Sequence, residues 1–103
     1  MSTFFVPYFD NKPVCLDVKG HRLVIVTAER EPLLEELGDL GGDDVRELNV
    51  QDDLLRRKDM DWLAQAPFVE LAQKVEGGVV FAPPGISPTA IIETLERELP
   101  WLH

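Results

Sequence analysis

Chemistry-bearing residues are scarce in this sequence. It contains one cysteine, Cys15, and two histidines, His21 and His103. A lone cysteine excludes an internal disulfide, and the three residues together fall short of the four ligands of a structural zinc site. Cys15 lies in the run Pro13-Val14-Cys15-Leu16-Asp17-Val18 with no histidine or second cysteine beside it. That setting predicts a small buried hydrophobe in a strand, not a nucleophile. Serine is rare as well: Ser2 is terminal, and Ser87 is placed to cap a helix. Long apolar runs are missing. The longest, over residues 23–26 and 79–82, are strand-sized, against the roughly 20 residues of a membrane helix. The N-terminus shows no basic segment followed by an apolar core, so no secretory signal is expected and a cytoplasmic location is.

Bases are also in deficit. Ten Lys and Arg stand against nineteen Asp and Glu, a net charge of −9. Residues 29–61 hold twelve of the acids and five bases, so the middle third carries most of the field. Such a chain repels phosphate backbones and anionic bilayers, which predicts neither nucleic acid nor membrane as partner. A basic protein surface fits the field; solubility alone is the plainer explanation.

What is present is globular. The chain of 103 residues is 45% hydrophobic, which suits one domain over residues 1–103. Residues 4–9, Phe-Phe-Val-Pro-Tyr-Phe, read as a strand that Pro7 makes either an edge strand or an irregular one. Asp10-Asn11 reads as a turn. Residues 13–27 read as a hairpin, with Gly20 free to take positive φ at its tip. Pro32, Leu33, Leu34 and Leu37 make a short helix ended by Gly38. Arg46, Leu48 and Val50 alternate with Glu47 and Asn49, the pattern of another strand. Residues 51–66 mix charged residues with Leu54, Leu55 and Trp62 and predict a partly helical, exposed segment. Phe68, Leu71, Ala72 and Val75 then mark an amphipathic helix closed by Gly77-Gly78. Residues 79–82 read as a strand covered on both faces. Ser87 is the expected N-cap of a last helix, with Pro88 at its first position and Ile86 and Ile91 as a hydrophobic staple. Ile91, Ile92, Leu95 and Leu99 are its expected buried stripe. The fold class that follows is α+β: one mixed β-sheet with antiparallel N-terminal strands and helices packed on it.

The places where chemistry could sit are poor. The strand-to-helix turn Thr27-Ala28-Glu29-Arg30-Glu31 has no glycine, and its glutamates would repel a phosphate. The turn at residues 83–88 contains three prolines without N–H groups and no lysine follows, so a rigid turn is expected there. Asp43-Asp44 and Asp52-Asp53 lack the spacing of a calcium loop. No catalytic residue, metal or cofactor is predicted.

The order of elements resembles the N-terminal domain of the SseB-like bacterial proteins, linked by name to type III secretion and serine sensitivity. The resemblance rests on Thr3-Phe4-Phe5-Val6-Pro7, Leu23-Val24-Ile25-Val26-Thr27, Phe68-Val69-Glu70-Leu71-Ala72 and residues 78–85, Gly-Val-Val-Phe-Ala-Pro-Pro-Gly. It departs from the family at Ala82, where an asparagine is usual, and over residues 51–66. The resemblance implies a mixed α+β domain acting through protein contacts.

The leading expectation is a small acidic protein-interaction module of the immunity or inhibitor kind, not an enzyme. Its site would be Glu35, Glu36, Asp39, Asp43, Asp44, Asp52 and Asp53, with Trp62 and Trp101 as apolar anchors for a basic or amphipathic partner. Two alternatives stand beside it. One is an enzyme or ligand-binding domain whose site is assembled from distant residues; the other is a homodimer paired through edge strand 4–9.

Overall fold

The computed structural model describes residues 2–50 and 66–101. In chain order the elements are β1 (Ser2–Phe9), β2 (Lys12–Pro13), β3 (Leu16–Val18), β4 (His21–Thr27), α1 (Arg30–Glu35), β5 (Asp44–Val50), α2 (Ala66–Val75), β6 (Gly78–Ala82) and α3 (Pro88–Glu98). The expected α+β class with a mixed sheet is what forms. Residues 51–65, including the segment predicted as partly helical, lie outside the described residues.

Strand β1 runs through the middle of the sheet. One edge pairs antiparallel with β5 from Ser2↔Val50 to Tyr8↔Asp44. The other meets β4 at Phe5↔Thr27 and β2 at Tyr8↔Pro13. Strand β4 pairs antiparallel with β3 and, on its far edge, parallel with β6 from Leu23↔Gly78 to Thr27↔Ala82. Strands β1 and β4 therefore part after their single contact, and β2 and β3 fill the gap.

Of the two expectations for residues 4–9, an edge strand or an irregular one, this arrangement corrects the first. Pro7 is fully buried, and its carbonyl accepts from Val14 N–H at 2.9 Å. A residue's N and C=O point to the same side of a strand, so the missing N–H of Pro7 also falls in the gap. The split in the sheet, not its edge, accommodates the proline. The residue 13–27 hairpin is shorter than expected: only β3 and β4 form it. Cys15 sits outside any strand and is exposed, contrary to the buried position predicted for it. Its neighbour Val14 takes the buried position instead.

Two tight turns hold the N-terminal strands. Asp10 and Asn11 have φ of 50° and 66°, and Lys19 and Gly20 have 53° and 85°. Paired positive φ values match the twist of antiparallel strands.

The sheet is covered on both faces. Phe4, Val6, Val24, Val26 and Val50 pack under α2, which contributes Phe68, Leu71 and Val75. Phe68 is fully buried and meets Phe4 edge-on at 5.7 Å and 68°. The opposite face joins Ile25 and Ala82 to Leu33 of α1, Leu40, and Ile91 and Ile92 of α3. Alternation explains the division: even-numbered positions of β1, β4 and β5 point to α2 and odd ones away. Strand β6 sends Val79 and Phe81 to one cluster and Ala82 to the other, as an apolar run covered on both faces should.

Helix ends depart from the sequence reading in instructive ways. Gly38 does not end α1; turns continue until Gly41, which takes φ of 82°, while Gly42 N–H bonds Leu37 C=O at 2.9 Å. At the end of α2 the left-handed residue is Glu76 (φ 54°), not a glycine. Glu76 N–H reaches Gln73 C=O and Gly77 N–H reaches Ala72 C=O, the paired bonds of a Schellman cap. Gly77 is needed for another reason: a Cβ there would strike the backbone carbonyl of Arg22. The stripe of α3 is half-buried, since of its residues only Pro88 is buried and Ile86 before it stays exposed.

Candidate functional site

The acidic residues expected to form one surface have different fates. Glu35 and Asp39 are exposed and make no ion pair or hydrogen bond among the described residues. Asp43 is exposed and accepts weakly from Asp10 N–H at 3.4 Å. Asp44 pairs with Arg46 at 3.3 Å.

Glu36 is turned inward. Its carboxylate accepts from Thr89 N–H at 3.2 Å and from the Thr89 hydroxyl. Those groups stand in the first turn of α3, where unpaired amides and the positive end of the helix dipole favour an anion. Ser87 caps the same turn, accepting from Ala90 N–H at 3.3 Å. Glu29, just ahead of α1, accepts from Gly85 N–H at 3.0 Å. The two glutamates flanking α1 thus hold the β6–α3 connection, a type II turn with Pro84 and positive-φ Gly85 at its centre. Glu36 is thus engaged within the fold, apart from the exposed acids it was expected to join.

Trp101 is 67% exposed, but it does not join the acidic residues. It follows the C-terminal end of α3, whereas Glu36 sits at the N-terminal end. Eleven residues of helix separate them, about 16 Å. Trp101 lies instead against the β3–β4 turn, with Lys19 Nζ 5.9 Å from its ring centre. Lys19 also donates to Leu99 C=O at 3.0 Å, and His21 Nε2 contacts Pro100 C=O at 2.9 Å. These contacts give Lys19 and His21 a structural task, binding the carbonyls that end α3. Asp52, Asp53 and Trp62 lie outside the described residues.

Other apolar side chains accompany the acidic loop. Leu34 on α1 is 42% exposed and Phe9 57%. Phe9 borders a shallow depression with Leu40 and Gly41 of that loop. The sequence pattern gave no sign of this, because Phe9 looks like any aromatic strand residue.

The sequence also concealed a gathering of bases. Lys12, Arg22, Arg46 and Lys74, four of the ten basic residues, line one open groove of about 560 Å³ beneath the end of α2. They come from the β1–β2 hairpin, β4, β5 and α2, and no two of them are neighbours in the sequence. Arg46 stacks on Tyr8 at 4.4 Å and bonds Asn11 Oδ1 as well as Asp44. Arg22 shares this groove with Cys15, and the neighbouring sulfur, aided by Glu76 and Asp17, holds the guanidinium above its ordinary pKa.

Among the described residues no three His, Cys, Asp or Glu side chains gather as metal ligands would, and no helix is long and apolar enough to cross a membrane. Fold and surface define the class as a small α+β domain with a mixed sheet, helices on both faces and four of its bases gathered in one groove. No family model, curated protein or solved structure matches the chain.

Proposed function

We propose that the protein is a small cytoplasmic interaction module that docks a basic or amphipathic protein, and that it is not an enzyme. The observation that supports this is the surface between Glu29 and Asp44. Glu31, Glu35, Asp39 and Asp43 are exposed there without an ion-pair partner among the described residues, beside exposed Leu34 and Phe9. Long-range attraction would speed encounter, and the two apolar side chains would supply contact area once water is expelled. An inhibitor or immunity protein for a basic target is the concrete form of this reading. Kinship with the SseB-like domains belongs to the same proposal and rests on the sequence resemblance at residues 3–7, 23–27, 68–72 and 78–85.

The test compares the native chain with a Glu35→Gln, Asp39→Asn, Asp43→Asn triple variant as bait in cell extract at low salt. Basic proteins retained by the native chain and lost with the variant are the expected outcome. With such a partner in hand, its association rate should fall by roughly tenfold from low to physiological ionic strength, because exposed charges are screened over about 10 Å. Identical retention by both baits would reduce the acidic surface to a solubility device.

A further inference from the structure

We infer that the basic groove under the end of α2 is a binding site for a phosphate monoester. This is independent of the acidic docking surface, which lies on other residues. In a chain of net charge −9, chance would scatter the bases; four line this groove, and no carboxylate does. Asp44, Asp17 and Glu76 lie near the two arginines and offset part of the charge, but none lines the groove.

The four bases are not equivalent. Arg46 is held by Asp44, Asn11 and the Tyr8 ring, so its guanidinium is oriented before any ligand arrives, and Arg22 lines the same groove. A fixed guanidinium fork matches the oxygens of a phosphate. Lys12 and Lys74 are exposed and have no ion-pair partner among the described residues, which leaves two mobile ammonium groups to close on a dianion. Tyr8, Pro13 and Val75 supply an apolar wall for a compact organic group. The volume of about 560 Å³ falls in the range of small-ligand sites. The phosphate could be carried by a free metabolite or by a phosphorylated side chain of another protein; the groups recognised are the same.

Titration of the isotope-labelled protein at low salt with phenyl phosphate and phosphoserine tests the site. Amide shifts should saturate and cluster at Tyr8, Asn11, Arg22 and Lys74. A Lys12→Gln, Lys74→Gln variant should bind at least roughly tenfold more weakly, while an Arg30→Gln, Arg97→Gln variant, which removes equal charge elsewhere, should bind as the native chain does. A phosphoserine peptide run in parallel identifies the source: tighter binding than phosphoserine points to a modified protein, equal binding to a free metabolite. Equal weakening in both double variants, equal binding of succinate, or unsaturable shifts would overturn the proposal. Both variants change only exposed side chains, so retained native spectra separate loss of binding from loss of fold.

Discussion

Gly77 and Glu76 show how much one backbone position can decide. Glu76 occupies the left-handed region at φ 54°, which a residue with a Cβ enters at a cost of about 1 kcal/mol. Glu76→Gly should therefore raise stability by about 0.5–1 kcal/mol in urea unfolding, less whatever the lost attraction to Arg22 contributes. Gly77→Ala should do the opposite. Its methyl would meet the Arg22 carbonyl, and moving strand β4 away from the end of α2 should cost about 1–3 kcal/mol. The pair is decisive because sequence alone assigns the left-handed role to glycine. If both substitutions shift the midpoint the same way, the cap geometry is wrong. Pro7 and Cys15 make the same point about context. A proline that looks like an edge marker is buried at a split in the sheet, and a cysteine that looks like core stands outside the strand in a basic groove.

At the scale of elements, the two larger helices are held by different means. Helix α2 presents Phe68, Leu71 and Val75 to the sheet, all buried. Leu71→Ala should cost about 2–5 kcal/mol. Helix α3 keeps its stripe half-buried and depends more on its ends. Leu95→Ala should cost about half as much as Leu71→Ala, because truncation removes less buried surface. Glu36→Gln leaves a neutral acceptor at the start of α3 but removes the charge that the helix dipole favours, and a loss of about 0.5–1 kcal/mol is expected. Hydrogen exchange should show the gain in opening confined to α3 and the β6–α3 turn. Faster exchange across β1 and β5 as well would mean that Glu36 matters for the whole fold and not for this junction. Most of these elements were legible in the sequence. The period of α2, the Ser87-Pro88 start of α3 and the alternation of β5 each follow from side-chain spacing. The place of β1 was not legible, since pairing with β5 joins residues from Tyr8↔Asp44 to Ser2↔Val50 that lie far apart along the chain.

For the whole molecule, the distribution of charge matters more than its total. The acidic loop and the basic groove adjoin at Asp44 and Arg46, so one small domain carries two surfaces of opposite sign. Salt should weaken any partner bound at either surface, but neutralising the acidic surface should not weaken a phosphate bound in the groove, because it removes only neighbouring negative charge, as binding assays on the two sets of variants will show. The centre of the sheet also bears on self-association. Strand β1 is paired on both edges, so dimerisation through residues 4–9 would require the sheet to open. Sedimentation over a range of concentrations should show no dimer that a β1 substitution on the strand's exposed side, such as Thr3→Lys, abolishes.

The sequence by itself determined the class of fold, because hydrophobic periodicity and turn residues are local properties that short stretches of chain express unaided. It also determined the excess of negative charge. Only the tertiary structure decided which charges act together. Glu36 and Trp101, close in the argument from composition, end at opposite ends of α3, and Lys12, Arg22, Arg46 and Lys74, distant along the chain, converge on one groove. The reason is physical: a site is a coincidence of elements in space, set by strand order and helix docking, and neither is encoded in any single window of residues.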